Sequence, residues 1–122
     1  MCVQLKQKYG LYINGQWRNA SDGRTFETTT PSTGQHLAYC AEATKEDVDD
    51  AVKAAWNAFP AWKKISPIER ADILLKIADR IDANKELLAK AESLDNGKPI
   101  RETMAIDVPY SSDHFRYFAG AI

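Results

Sequence analysis

The stretch E-S-L-D-N-G-K-P-I-R-E-T, residues 92–103, combines a helix end, a sharp turn and a helix start within twelve residues. Glycine adopts the left-handed conformation that ends many helices, and proline fits the first turn of a helix, where its missing N–H is not needed. We therefore expect Gly97 to end one helix and Pro99 to start the next. The stretch predicts a corner between two helices.

The Gly97-Lys98 pair also occurs in phosphate-binding loops of the pattern G-x-x-x-x-G-K-[ST]. Here the position of the earlier glycine is Glu92, and the residue after the lysine is Pro99, which has neither a hydroxyl nor an N–H. The sequence contains no G-x-G-x-x-G, G-x-S-x-G or H-E-x-x-H pattern either. The corner is therefore not predicted to bind phosphate.

Asp95 is the unexplained residue of the corner. A carboxylate near a helix C-terminus opposes the helix dipole, at a cost of about 0.3–1 kcal/mol. Asp95 could bind a cation, pair with a basic side chain or accept hydrogen bonds from N–H groups of the turn. These three alternatives stay open at this point.

Residues upstream of the corner predict further helices. Thr44 with Asp47 is close to a capping box, and Pro60 is expected to end the helix that follows. Ser66, Pro67 and Glu69 form a complete helix-start pattern. The two apolar stripes that follow these starts have helical spacing. They consist of Val48, Ala51, Val52, Ala55 and Phe59, and of Ile73, Leu74, Ile77, Ala78 and Ile81.

Two more helical features complete this half of the chain. Asn84 is expected to cap a helix that carries Leu87, Leu88, Ala91 and Leu94. The last helix is expected to run from Pro99 to Ala119-Gly120, with a bend at Pro109, because proline removes a backbone hydrogen bond from a helix interior.

Residues 11–40 have the pattern of strands and turns. Asn14-Gly15 lies between two apolar pieces and is the strongest short hairpin signal, since both residues tolerate the positive φ of a type I′ turn. Turns are expected at residues 22–23 and 31–34, with strands at 25–30 and 35–40. The sequence thus predicts a short β region followed by three to four helices.

Composition limits the classes of function. Sixteen basic and seventeen acidic residues leave a net charge of −1, so the positive charge typical of nucleic-acid binding is missing. No apolar run approaches the ~20 residues of a membrane span, and no signal peptide is recognisable, so we expect a cytoplasmic protein without nucleic-acid or membrane partners. Cys40 is expected to be a small buried residue, and His36 and His114 are expected to be surface or packing residues.

Six segments, taken in order, resemble the N-terminal part of the NAD(P)-dependent aldehyde dehydrogenase superfamily over residues 9–122. The later run I-D-V-P-Y-S-S-D-H-F-R-Y-F-A-G is similar to bacterial acetaldehyde-type members. The six segments are L-Y-I-N-G-Q-W, T-F-E-T-T-T-P-S-T-G-Q, A-T-K-E-D-V-D-D-A-V-K-A-A-W-N-A-F-P-A-W, S-P-I-E-R-A-D-I-L-L-K-I-A-D-R-I, E-S-L-D-N-G-K-P-I-R-E-T and D-H-F-R-Y-F-A-G-A-I.

The resemblance implies an α/β fold in which residues 1–122 are an incomplete N-terminal part of a Rossmann-like cofactor-binding domain, with residues 1–8 disordered. It implies a parent enzyme, a homodimer or homotetramer, that oxidises an aldehyde to a carboxylic acid with NAD(P)⁺ through a cysteine thiohemiacetal. The family's catalytic and cofactor-binding residues lie downstream of this segment. The chain is therefore expected to be an N-terminal fragment that is inactive alone.

The resemblance also implies two sets of site residues. Some family members bind a monovalent cation at positions that match Thr28, Thr29 and Asp95, whose oxygen atoms suit a hard cation. The helix after the corner approaches the mouth of the family's substrate tunnel, which makes Ile106 and Tyr110 candidates for lining it. A packing role in the helix core is the alternative for both of these side chains.

A second hypothesis comes from a different class of function. The chain would then be a complete, non-catalytic helical interaction module that binds a partner through its exposed aromatic side chains.

Overall fold

The computed structural model describes residues 5–122, and their contacts form two compact units. The β–α unit contains residues 5–30 and 34–64, and the helical unit contains residues 31–33 and 65–122. Each unit has its own internal packing.

Five short strands form two sheets in the β–α unit. In the three-stranded sheet the order is β1-β5-β4, with β1 parallel and β4 antiparallel to β5, and the other sheet is the β2–β3 hairpin. Asn14 and Gly15 occupy the hairpin turn with φ of 53° and 77°, which confirms the predicted turn. The strands are β1 (Lys8–Tyr9), β2 (Leu11–Ile13), β3 (Gln16–Arg18), β4 (Thr25–Thr29) and β5 (His36–Ala41).

The N-terminal end differs from the expectation of disorder over residues 1–8. Lys8 begins β1, and the N–H of Tyr39 donates a hydrogen bond to the carbonyl of Gln7 at 3.0 Å. Pairing with β5 satisfies backbone groups of this segment. Residues 1–4 lie outside the described part of the chain.

Helix α1 (Lys45–Trp62) begins at the predicted capping box, in which Thr44 and Asp47 exchange side chain–backbone hydrogen bonds. The prediction that Pro60 ends this helix is wrong, because Pro60 lies inside it. The N–H of Lys63 still donates to the carbonyl of Phe59 at 2.9 Å, so the last turn closes around the proline.

The helical unit contains α2 (Pro67–Ala83), α3 (Lys85–Asn96), α4 (Ile100–Glu102), a π-helical segment (Thr103–Asp107) and α5 (Val108–Ala121). The capping box of Ser66 and Glu69 is confirmed. Asn84 precedes α3 without a side-chain cap, and its side-chain amide donates to the carbonyl of Arg80 at 2.8 Å. The sequence predicts a bend at Pro109, and in the structure the π-helical segment ends two residues before this proline.

Small residues make up most of the buried apolar core of both units. In the β–α unit they are Ala20, Ala38 and Ala41, and in the helical unit Ala78, Ala89, Val108 and Ala119. Many large apolar side chains are exposed, including members of both predicted stripes. The described helices include none with the length and apolar character needed to cross a bilayer.

Candidate functional site

The corner after α3 is shaped by Gly97. Its φ of 79° is left-handed, and its N–H donates to the carbonyl of Ser93 at 3.1 Å, which confirms that Gly97 ends the helix. A Cβ atom at this position would lie 3.0 Å from Cγ of Pro31, so a side chain here would press against the proline ring. The Ser93 hydroxyl donates to the carbonyl of Lys98 and closes the turn.

The ammonium group of Lys98 is taken up by Asp107. Its Nζ lies 2.8 Å from Oδ1 and 2.7 Å from Oδ2 of that carboxylate, and the hydrogen bond raises the pKa of Lys98. The lysine therefore stays charged and bound within the protein, which agrees with the rejection of a phosphate loop. The pair connects the corner to the end of the π-helical segment.

The π-helical segment begins at Thr103, which is completely buried. The Thr103 hydroxyl lies 3.0 Å from the carbonyl oxygen of Ala89 in α3 and 3.1 Å from that of Ile100. The N–H of Val108 donates to the carbonyl of Thr103, five residues earlier, as in a π-helix. Such one-turn π-helical insertions are frequent at functional sites.

Helix α5 presents an open aromatic face. A cavity of about 350 Å³ lies along it, and the rings of Tyr110 and His114 meet edge to face with centroids 4.3 Å apart. His114 Nδ1 lies 2.7 Å from the carbonyl oxygen of Tyr110, which fixes the imidazole. Such a surface suits a small apolar ligand. The lining residues are Tyr110, Asp113, His114, Tyr117 and Phe118.

The opposite side of α5 is held by α2. Arg116 lies 2.6 Å from the carboxylate of Asp82 and 3.1 Å from that of Asp79. A hydrogen bond from Ser112 and the contact with Arg116 lower the pKa of Asp82. These contacts fix α5 on α2 and leave the aromatic face turned away from the unit's interior.

The two predicted tunnel residues are both on this part of the chain. Tyr110 is 64% exposed and lines the cavity, whereas Ile106 is 58% exposed in the π-helical segment and does not line it. Neither side chain packs in the core, so the alternative of a core-facing role is not what the structure shows. A role in a substrate tunnel stays a prediction.

The three predicted cation ligands lie in different units. Thr28 and Thr29 are in β4 of the β–α unit, and Asp95 is exposed in the last turn of α3 in the helical unit. The cation site therefore stays a prediction. Across residues 5–122 there is no group of three or more His, Cys, Asp and Glu side chains able to hold a metal ion.

Cys40 is half-buried in β5. His36, on the same strand, has its Nδ1 2.8 Å from Oε1 of Glu27 on the neighbouring strand β4. The histidine thus has a structural partner in the sheet. Cys2 lies outside the described residues.

Comparison with known proteins identifies the family. The model of the "Aldehyde dehydrogenase family" matches residues 17–122. The chain belongs to the aldehyde dehydrogenase family. This confirms the resemblance and the predicted α/β fold, in which short strands precede the helices of a Rossmann-like domain.

Three aldehyde dehydrogenases show how similar the relatives are. "Acetaldehyde dehydrogenase 2" of Cupriavidus necator is 54% identical over 117 residues, which is 96% of this chain and 23% of that protein. A structure described as a putative aldehyde dehydrogenase from Burkholderia cenocepacia matches with a TM-score of 0.91 and 45% identity, over 94% of this chain and 24% of its own. The NAD⁺ complex of aldehyde dehydrogenase from Bacillus cereus gives a TM-score of 0.91 and 39% identity, over 97% of this chain and 26% of its own.

The chain therefore spans about a quarter of the length of the aldehyde dehydrogenases that it matches. The contacts of Lys98, Thr103 and Asp107 were not predicted, because each joins residues that no local sequence motif relates.

Proposed function

We propose that the protein containing this chain oxidises a short aldehyde to the carboxylic acid with NAD(P)⁺. A cysteine thiolate outside the described residues would add to the aldehyde carbonyl. Hydride would then pass to the cofactor, and water would hydrolyse the thioester to carboxylate. Membership of the aldehyde dehydrogenase family over residues 17–122 is the observation that carries this proposal.

Acetaldehyde is the first substrate to test, because the Cupriavidus necator relative is named as an acetaldehyde dehydrogenase and is 54% identical. In this proposal Ile106 and Tyr110 border the path of the aldehyde. Their support is the exposure of both side chains and the cavity beside Tyr110. The phenol ring would contact the apolar part of the substrate and take no part in the chemistry.

We assign the cofactor to the protein that contains this chain, and we assign no cofactor contact to any residue of the chain itself. The Bacillus cereus relative was solved with NAD⁺. Within residues 5–122, the glycines with positive φ lie in turns and at the helix corner, and no glycine-rich loop leads from a strand into a helix. The described residues thus do not form a dinucleotide-binding loop.

A monovalent cation held by Thr28, Thr29 and Asp95 is a further part of the proposal. Hydroxyl, carbonyl and carboxylate oxygens are suitable ligands for such an ion. If the site exists, exchanging K⁺ for a bulky organic cation should lower the melting temperature of the wild-type protein and leave Asp95→Asn unaffected. Equal melting temperatures in both salts would exclude it.

The activity test uses the protein as its gene encodes it. We expect NADH or NADPH to form when acetaldehyde is added, and we expect Tyr110→Ala to raise KM for the aldehyde with little change in kcat. The 122-residue chain alone should form none, since Cys40 is half-buried in a strand and matches no nucleophile motif. Absence of aldehyde-dependent reduction in the gene's full product would refute the proposal.

Assembly and location belong to the same proposal. We expect a homodimer or homotetramer in the cytoplasm, measurable by sedimentation of the gene's full product and by cell fractionation. The alternative hypothesis of a non-catalytic interaction module receives no support from the family match.

A further inference from the structure

Compared with a regular α-helix, the helix after the corner contains one additional residue in one of its turns. The spacing of its buried residues shows this insertion. Thr103, Val108, Ser112 and Ala119 are its buried residues. In a regular α-helix, a step of five residues leaves the second side chain about 140° away from the first. Thr103 and Val108 are nevertheless both buried, because the π-helical segment takes up the additional residue.

This insertion decides which face of α5 is open. Removing one residue from the turn would rotate every later side chain by about 100° around the axis. Tyr110 and His114 would then leave the open face, and residues that now pack on α2 would move toward it. The position of Tyr110 thus depends on a feature that precedes it in the chain.

Pro109 gives a reason for the insertion. Proline has no N–H to donate, and its ring crowds the carbonyl four residues before it, which here belongs to Ala105. Helices commonly relieve this strain through a kink or a π-helical turn. The π-helical segment ends two residues before Pro109, in the turn where the strain arises.

Two contacts hold the segment, one at each end. At its start, the Thr103 hydroxyl bonds to the carbonyl of Ala89 in α3. At its end, the carboxylate of Asp107 lies 2.7 and 2.8 Å from Nζ of Lys98. The Lys98 and Asp107 side chains are 40% and 22% exposed, so the ion pair is partly shielded from water.

We propose that Lys98 and Asp107 are positioning residues that fix the register of the π-helical segment and so select which aldehydes fit beside Ile106 and Tyr110. This inference rests on the proposed function, because it takes those two side chains to border the aldehyde path. Neither charged group contacts the substrate. Their effect passes through the backbone of residues 103–108.

The test compares aldehydes of different size in the protein as its gene encodes it. We expect Lys98→Met and Asp107→Asn each to change the ratio of kcat/KM for benzaldehyde to that for acetaldehyde by roughly tenfold. The kcat for acetaldehyde should stay within about twofold, since the reacting groups are untouched. Lys98→Arg should restore most of the ratio.

The double variant gives a sharper criterion. Because the two residues act as one pair, Lys98→Met with Asp107→Asn should change the ratio no more than either single variant. Arg101→Met is the matched control, since Arg101 is 84% exposed and pairs with Glu102 at 3.7 Å. That variant should leave the ratio unchanged.

Two kinetic results would overturn the proposal: an unchanged ratio in Lys98→Met, or a similar change in Arg101→Met. Hydrogen exchange at the Val108 amide, which donates to Thr103, tests the register without any substrate. Exchange should be faster in Asp107→Asn than in wild type, and equal rates would refute the positioning role. If the wild-type protein oxidises no aldehyde, both the proposed function and the selection of aldehydes are refuted. The hydrogen-exchange result would still decide whether Asp107 fixes the register of the π-helical segment.

Discussion

The carboxylate of Asp47 accepts a hydrogen bond from the backbone N–H of Ser21 at 3.0 Å, which ties the start of α1 to the chain after β3. The same oxygen accepts the N–H of Thr44 at 3.0 Å and completes the capping box. Asp47 is only 2% exposed. The bonds from Thr44 and then Ser21 lower its pKa from 3.8 to about 2.

This lowered pKa predicts how the start of α1 responds to acid. Since the folded pKa is below the unfolded value of 3.8, ionised Asp47 stabilises the fold fully above that pH, and the contribution is lost as pH falls through about 2. We expect the Asp47 carboxyl to titrate near 2 by NMR. Amide exchange in the first turn of α1 should accelerate over the same window.

Two variants control for general acid effects. Asp47→Asn should remove this pH dependence and speed exchange in the first turn already at neutral pH. Asp49→Asn, on the same helix but 55% exposed, should retain the pH dependence. A midpoint for Asp47 near the unfolded value would contradict the prediction.

Gly97→Ala should destabilise the helical unit by roughly 1–2 kcal/mol, because an L-residue at φ of 79° is strained and its Cβ would meet Pro31 at 3.0 Å. Urea unfolding followed by far-UV circular dichroism measures the change. Gly120→Ala is the matched control, since Gly120 lies in α5 with open space around it. It should stabilise by about 0.5–1 kcal/mol, and equal effects of the two substitutions would refute the argument.

The parts of the fold that sequence predicted are those fixed by local chemistry. The Asn14-Gly15 turn, the caps at Thr44 and Ser66, and the helix end at Gly97 each depend on a few neighbouring residues. The conformation of each of these features can therefore be predicted from a short stretch of sequence. The family resemblance rested on these same segments.

The parts that sequence missed depend on contacts between distant residues. β1 forms only because β5 is available to pair with it, and Thr103 is buried against a carbonyl fourteen residues earlier. The ion pair joins Lys98, in the corner after α3, to Asp107, at the end of the π-helical segment. No local preference encodes such contacts, so the π-helical segment was found only in the structure.

Thr103→Val should destabilise the helical unit by about 0.5–1.5 kcal/mol, because it removes the hydrogen bond from the hydroxyl to the buried carbonyl of Ala89 while keeping the side-chain shape. Urea unfolding measures the loss. Ser111→Ala removes a hydroxyl that donates to the carbonyl of Asp107 at an exposed position, and it should change stability by less than about 0.5 kcal/mol. A neutral Thr103→Val would show that the hydroxyl does not anchor the segment.

The apolar side of α1 predicts self-association of the 122-residue chain. Val52, Trp56 and Phe59 are 50%, 67% and 46% exposed, and the rings of Trp56 and Phe59 meet edge to face at 5.9 Å. Exposed apolar patches of this kind favour contact with other protein surfaces. Sedimentation velocity over a range of concentrations should therefore show species larger than the 13.7 kDa monomer.

Trp56→Lys should weaken this association by roughly tenfold or more, since burying one large apolar side chain contributes about 1.5–3 kcal/mol. Asn57→Lys adds the same charge at a neighbouring exposed position and should leave the association nearly unchanged. If the wild-type chain sediments as a monomer at every concentration and melts sharply and reversibly, the exposed side of α1 does not drive assembly.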